Sequence, residues 1–369
     1  MIDKTRLVDT FLTLVRIDSP SGHEERIGRY LLDLLRDLGV DGHMDDLGNI
    51  LVQWPGNGPG DAIMLNAHMD TVGTDRGIEP VVREGVIYSQ GETILGADDK
   101  AGLAIIIEVL RVLRDHPDFP HPPLDILFTV GEERGLIGAR GVDMGALRAR
   151  RGVVLDSGGP IGTIVVAAPY QDRHHFTVHG RASHAGVEPE KGINAIRVAA
   201  EAIAAMPLGR IDEETTANVG VIRGGVATNI VPDRVDVDSE ARSRAEAKLI
   251  AQTEAMIRAF REAAQRHGAH LHVEHRRLYN GYRHAPDSPL VRWIAEAARA
   301  LGLTPIYKEA GGGTDANVFN ERGLPTVVIS TGQTAVHTPE EHIAIQDLYD
   351  AARWVLEIVR RGATTQHPK

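Results

Sequence analysis

The sequence predicts an α/β fold: a sheet with helices on both faces, interrupted by an inserted α+β domain of ferredoxin-like order. Three observations predict it. Short apolar runs bounded by turn residues, "AIML" (62–65), "LDILFTV" (124–130), "GVVL" (152–155) and "PTVVIS" (325–330), read as strands buried on both faces. Helical apolar periods lie between several of them, the alternation of a helix-covered sheet. The middle of the chain changes character, and its elements follow the order β-α-β-β-α-β of a split βαβ unit.

Taken in order, "TRLVDTFLTLVRI" has helical apolar spacing. Ser19-Pro20-Ser21-Gly22 breaks it, and "EERIGRYLLDLLRDLG" resumes the period until Gly39. "GNILVQW" is a strand closed by the turn "PGNGPG". "GADDKAG" (96–102) heads an apolar helix from Leu103 to Leu110. Beyond "GVVL", "RHHFTVHG" is a strand, "GINAIRVAAEAIAAM" a helix, and "ANVGVIRGG" and "RVDVDSEAR" are strands. "RAEAKLIAQTEAMIRAFREAAQRHG" is a long helix and "HLHVEHRRL" a strand. Val235 and Val237 alternate with charged neighbours, as in a sheet with one wet face. These elements divide the chain into a discontinuous larger domain, 1–171 plus 288–369, and an insertion, 172–287.

Composition narrows the function classes. The chain has 369 residues, enough for two domains. It has 51 acidic and 40 basic residues, a net charge of −11, which repels phosphate backbones and argues against nucleic-acid binding. With no cysteine, disulfides, thiolate metal sites and a cysteine nucleophile are excluded. The amphipathic start "MIDKTRLVDTFLTL" lacks a signal-peptide segment, and no run of about 20 apolar residues is present to span a membrane. A soluble cytoplasmic protein is the expectation.

Polar residues follow each buried strand. His68-Met69-Asp70 comes after "AIMLNA", Glu132-Glu133 after "LDILFTVG", Asp156 after "GVVL" and His337 after "TVVISTGQTAV". Asp98-Asp99 opens a helix. The crevice of an open α/β sheet lies beyond the carboxyl ends of its strands, so these groups converge there. Asp98, Glu133 and Asp156 together cannot all stay ionised without cations. Two divalent ions and one bridging hydroxide would balance them with His68 and His337 neutral. Histidine and carboxylate donors suit zinc, and also cobalt or manganese. Glu132, beside a ligand, stays free to move protons. Against this, His174, His175 and His179 read as structural, and the histidines of "DHPDFPHPP" as solvated.

"NAHMDTV", "GADDKAG", "GEERGLIGAR", "VLDSGG" and "AVHTPEEH" resemble the motifs of the co-catalytic zinc peptidases that include carboxypeptidase G2, aminoacylases, succinyl-diaminopimelate desuccinylases and peptidase T. "GRASHAGVEPEKGINAI", "PLGRIDEETTANVG", "GGVATNIVPDRV" and "SEARS" are most similar to the peptidase T, or tripeptide aminopeptidase, branch. The resemblance implies that His68 and Asp156 bind one zinc, that Glu133 and His337 bind the other, and that Asp98 bridges. It implies a cis peptide between Asp98 and Asp99, with Asp99 structural. Glu132 is then the general base, and Asp70 hydrogen-bonds the second ring nitrogen of His68. His184 stabilises the oxyanion, from its own or a partner subunit. Asn229 and Arg242 bind substrate backbone or carboxylate, and the glycines of "EAGGGTDAN" let backbone amides approach it. The implied activity is hydrolysis of the N-terminal bond of short peptides by a metal-bridging hydroxide, in a homodimer formed through the inserted lid domain. An N-acyl-amino-acid amidohydrolase or carboxypeptidase on the same fold, or a non-catalytic binder, are the alternatives.

Overall fold

The computed structural model describes residues 1–363. In chain order its elements are α1 Lys4–Val15, α2 Glu25–Asp37, β1 His43–Met44, β2 Ile50–Trp54, β3 Ile63–His68, β4 Pro80–Arg83, β5 Val86–Ser89, α3 Ala97–Asp115, β6 Leu124–Thr129, α4 Ile137–Gly141, β7 Arg151–Ser157 and β8 Thr163–Ala168. Next come β9 Tyr170–His179, α5 Ala195–Ala205, β10 Gly209–Arg210, β11 Thr215–Gly224, β12 Arg234–Ser243, α6 Glu246–His267, β13 His270–Tyr279 and β14 Tyr282–Arg283. The chain ends with α7 Pro289–Ala300, β15 Ile306–Glu309, α8 Asp315–Glu321, β16 Thr326–Ser330, β17 His342–Ala344 and α9 Ile345–Gly362.

Two compact units result. The first comprises Met1–Val166, Arg283–Glu309 and the chain from Thr314 onward; the second comprises Ala167–Tyr282 with Ala310–Gly313. The division falls a few residues before the boundaries expected from sequence. The apolar run continues through "VVAA" into β9 with only Pro169 between, so no polar linker marks the passage.

In the first unit β6, β3, β7 and β16 are parallel neighbours in that order, flanked by β2 and β8, which run antiparallel. Every residue of β3, β6 and β16 is buried, which is why these strands read as continuous apolar runs. Helix α3 packs on β3 and β7 and, on its other side, on α1 and α9. It therefore buries residues all round, Leu103 to Leu110 without a break. Truncating one such side chain, Ile106→Ala, costs about 2–5 kcal/mol. A small sheet, β17-β5-β4, anchors the segment before α9. No helix among the described residues is long and apolar enough to cross a membrane.

The second unit is an antiparallel sheet of order β10-β11-β12-β9-β13 with α5 and α6 on one face. Apart from the two-residue β10, this is the expected β-α-β-β-α-β unit. Residues alternate along β9: Phe176 and Val178 are buried in the core with Phe260 of α6, whereas His175 faces Asp238 across the open side. His174 lies on the helix side, between Thr253 and Ser239, and stacks on His275. One expectation fails in the first unit. His116 is exposed, but His121 is buried with Nδ1 3.0 Å from the Pro122 carbonyl oxygen, because the Pro-rich stretch folds back over the "PGNGPG" turn.

Candidate metal centre

The polar residues that follow the strands of the first unit do meet. His68 ends β3, and its Nε2 lies 3.1 Å from Asp98 Oδ1 and 4.0 Å from Asp156 Oδ1. His337 Nε2 lies 3.3 Å from Asp98 Oδ2 and 2.7 Å from Glu133 Oε1. Asp98 thus turns one carboxylate oxygen to each imidazole. The donor atoms of His68, Asp98 and Asp156 lie within 4.8 Å of one another, as do those of Asp98, Glu133 and His337, and of His68, Glu132 and Glu133.

The backbone around the cluster has particular features. The Asp98–Asp99 peptide is cis and Gly96 has φ 73°. Asp99 points away from the cluster: its Oδ2 accepts from the His68 amide at 3.2 Å and its Oδ1 from the Gly102 amide at 3.1 Å. A Cβ at Gly102 would sit 2.5 Å from Asp99 Oδ1 and 2.7 Å from the Leu155 carbonyl oxygen, so the motif's last glycine is required by close approach. His337 itself adopts φ 65°.

Asp70 meets the second ring nitrogen of His68 and has a further part as well. His68 Nδ1 is 2.9 Å from the Asp70 main-chain carbonyl oxygen and 3.4 Å from the carboxylate. A carbonyl only accepts, so Nδ1 carries a proton, and Nε2, facing Asp98 and Asp156, is the ring atom that would bind an ion. The Asp70 carboxylate, fully buried, also accepts from the Glu132 amide at 3.0 Å, the Glu133 amide at 3.2 Å and the Ser21 hydroxyl at 2.6 Å. It fastens the turn after β6 to the turn after β3.

The sequence reading passed over two further carboxylates. Glu341 is buried; its Oε2 accepts from the Leu95 amide at 2.9 Å and the Gly96 amide at 2.7 Å, and its Oε1 from the Asp98 amide at 3.0 Å. Asp315 opens α8 and accepts from the Thr129 hydroxyl, while its Oδ1 is buried with no partner among the described residues. Burial pushes the Asp315 carboxyl up to about 6. Glu341 sits in the quoted "HTPEEH" and Asp315 in "EAGGGTDAN", but burial, the signal that marks them, is a property of the fold.

The electrostatics show a site short of positive charge. Hydrogen bonds to Asp98 and Glu133 push the His337 imidazole up to about 10. Burial opposes charging of His68, yet its bonds to Asp70 and Asp98 raise it well above the ordinary histidine value. Burial and the neighbouring Asp98 charge lift Asp156 well above the carboxylate range. Burial also lifts Glu132, with Asp315, Glu133 and Asp70 adding to it. Alone, the cluster draws protons onto its imidazoles and carboxyls; two divalent cations would supply that charge, and the His, Asp and Glu donors suit them. The residues fit such ions.

The other candidates lie in the second unit. His184 forms a bridge with Ile230, and its Nδ1 accepts from the Gly186 amide at 3.1 Å. The Asn229 carbonyl accepts from the Ala185 amide at 3.0 Å, so Asn229 and His184 are held in neighbouring loops. Arg242 forks onto Glu240, Nε to Oε1 at 2.9 Å and a terminal nitrogen to Oε2 at 3.1 Å.

Known proteins resemble this chain over nearly its whole length. Residues 64–361 match the family model described as Peptidase family M20/M25/M40. The Bacillus subtilis (strain 168) relative "Uncharacterized protein YqjE" is 43% identical, covering 98% of this chain and 100% of its own. The crystal structure of aminopeptidase PepT from Bacillus cereus aligns with TM-score 0.88 and 43% identity, over 98% of this chain and 99% of that one. A tripeptidase structure from Staphylococcus aureus aligns with TM-score 0.93 and 38% identity, over 99% and 100% of the two chains.

Proposed function

This chain belongs to peptidase family M20/M25/M40, and on that premise we propose that it is a two-zinc aminopeptidase that removes the N-terminal residue of short peptides. The observation that carries the reading is Asp98, one carboxylate oxygen facing each imidazole, with Glu132 beside the cluster. His68 and Asp156 would hold one ion and Glu133 and His337 the other, with Asp98 shared. Such ions supply Lewis acidity that polarises a peptide carbonyl and activates water. Cobalt or manganese suits the same donors.

Glu132 is the proton carrier. Its carboxylate takes no hydrogen bond among the described residues, and its raised affinity for protons suits a base that accepts a water proton and returns it to the leaving amine. Asp70 holds the backbone of that base, and Asp315 adds negative charge near it. In the second unit, His184 would stabilise the oxyanion, and Asn229 and Arg242 would bind the peptide. Arg242 is already forked onto Glu240, so it would share its guanidinium between that partner and a peptide carboxylate. We further propose the second unit as a lid and as the contact of a homodimer, acting in the cytoplasm.

The test is hydrolysis by the metal-loaded protein of a tripeptide, its N-acetyl derivative and its C-terminal amide. The free tripeptide should be cut at its first bond and the N-acetyl form should not. Cleavage of N-acetyl amino acids or of the last peptide bond instead would assign the acylase or carboxypeptidase activity. Glu132→Gln should retain two ions per chain by elemental analysis and lose at least about 10²-fold in kcat. Near-normal turnover in that variant rejects the role.

A further inference from the structure

Beside the turn that carries Glu132, within the first unit, lies a cavity of about 360 Å³. None of the clustered metal-centre side chains lines it. Its walls include Met44, Leu47, Val130 and Ile137, and Arg29 and Arg134 stand exposed at its rim. Glu24 also lines it, although only 8% of that residue is exposed. Glu24 precedes α2 but makes no side-chain cap to it. Its Oε1 accepts from the Gly22 amide at 2.9 Å and the Gly131 amide at 3.1 Å. No hydrogen bond from another described residue reaches Oε2.

We infer that this cavity binds a primary ammonium group flanked by an aliphatic side chain, as in a free α-amino acid or at a peptide N-terminus, with Glu24 Oε2 as the acceptor. The Glu24 carboxylate also takes its own main-chain N–H, so its donors are three neutral amides and no charged one; an ammonium would supply one of the stronger hydrogen bonds available. Burial already pushes the Glu24 carboxyl above its usual range, so the carboxylate form is short of stabilisation. The four apolar walls accept the aliphatic group. Glu24 and Glu25 are matched in number by Arg29 and Arg134, so a zwitterion leaves the lining neutral where a bare cation or anion would not. Neither guanidinium is in an ion pair among the described residues, and either can receive the ligand's carboxylate or carbonyl. The volume falls within the ordinary range of small-molecule sites. Because Gly131 bonds Glu24 and the next amide, that of Glu132, bonds Asp70, an occupant would sit one residue from the candidate base.

The experiment is calorimetric titration of L-leucine, with N-acetyl-L-leucine as control, into the metal-loaded protein and three variants. Glu24→Gln keeps an oxygen for the two amides and removes the charged acceptor. Ile137→Lys delivers a tethered ammonium from a wall position that is itself partly exposed. His337→Ala dismantles the metal cluster, which could itself bind leucine. Leucine should bind the parent and His337→Ala, and at least about tenfold more weakly to Glu24→Gln and Ile137→Lys. N-acetyl-leucine should bind at least about tenfold more weakly than leucine. No leucine binding, equal binding of the two ligands, unchanged affinity in both cavity variants, or binding lost in His337→Ala but kept in Glu24→Gln would each overturn the inference. Inhibition of tripeptide hydrolysis then separates the sources. Competitive inhibition by leucine places the peptide N-terminus in the cavity, and a change in kcat alone makes the free amino acid an effector. Binding is read without turnover, so a negative titration rejects the cavity and leaves the peptidase reading standing.

Discussion

Replacing Asp70 by alanine should unfasten the turn that presents Glu132 and Glu133. The carboxylate is fully buried and takes three donors: the Glu132 amide at 3.0 Å, the Glu133 amide at 3.2 Å and the Ser21 hydroxyl at 2.6 Å. A hydrogen bond to a charged group contributes about 1.5–3 kcal/mol, and a buried donor left unpaired costs about 1–3 kcal/mol. Taking about 1 kcal/mol for each donor left unpaired, the low end because they share one acceptor and are not additive, the loss is about 3 kcal/mol. The chemistry suffers separately. A shift of about 1 Å in the turn lowers turnover on the order of 10²-fold, and loss of the group behind a metal ligand weakens metal binding about 10–100-fold. Asp70→Asn, which keeps one accepting oxygen, should fall between parent and alanine. The assay pairs kcat at saturating zinc with the free energy of the first unfolding transition in guanidinium chloride. Asp70→Ala turning over within about threefold of the parent, and as stable to within about 0.5 kcal/mol, would refute the anchoring argument.

Glu341→Ala should leave the amides of Leu95, Gly96 and Asp98 without their acceptor, a loss of about 3 kcal/mol. Hydrogen exchange at those amides should accelerate at least about tenfold while the circular dichroism spectrum is retained; unchanged protection there rejects the role. His174 gives a pH prediction in the second unit. Burial, helped by His275, pushes its imidazole down to about 4, against about 6.5 in an unfolded chain. Between those values the unfolded state binds more protons, so this group's contribution weakens stability as pH falls from about 6.5 toward 4. From pH 6.5 to 5 the loss is up to about 2 kcal/mol, and His174→Phe should remove that slope; identical slopes in parent and variant would show that His174 does not titrate as described.

The layered fold was legible because its central strands are buried on both faces, a condition that leaves uninterrupted runs such as "LDILFTV" and "TVVIS". The polar positions that gather beyond those strands were legible for the related reason that each follows an apolar run. His68, Asp98, Glu133, Asp156 and His337 therefore stand out in the sequence itself. Glu341, Asp315 and Glu24 did not, because a carboxylate beside other polar residues reads as solvated. Only the fold reveals that backbone amides, a threonine hydroxyl or a cavity surrounds it. His121 was misread for the same reason. Asp70 was noticed for its spacing from His68, but spacing cannot distinguish its carboxylate from its own carbonyl, and the carbonyl is nearer the imidazole.

The clustered side chains come from both flanks of the insertion: Asp156 precedes it, and His337 follows it by a whole helix–strand segment. Synthesis runs from the N-terminus at about 5–20 residues per second, so most of the donors leave the ribosome well before the last imidazole does. A nascent chain halted anywhere before position 337 carries a crowd of acids that nothing yet completes. On the proposed ligand set, a chain that stops short of His337 would lack the second imidazole, so the assembly of the centre waits on a segment made well after the insertion.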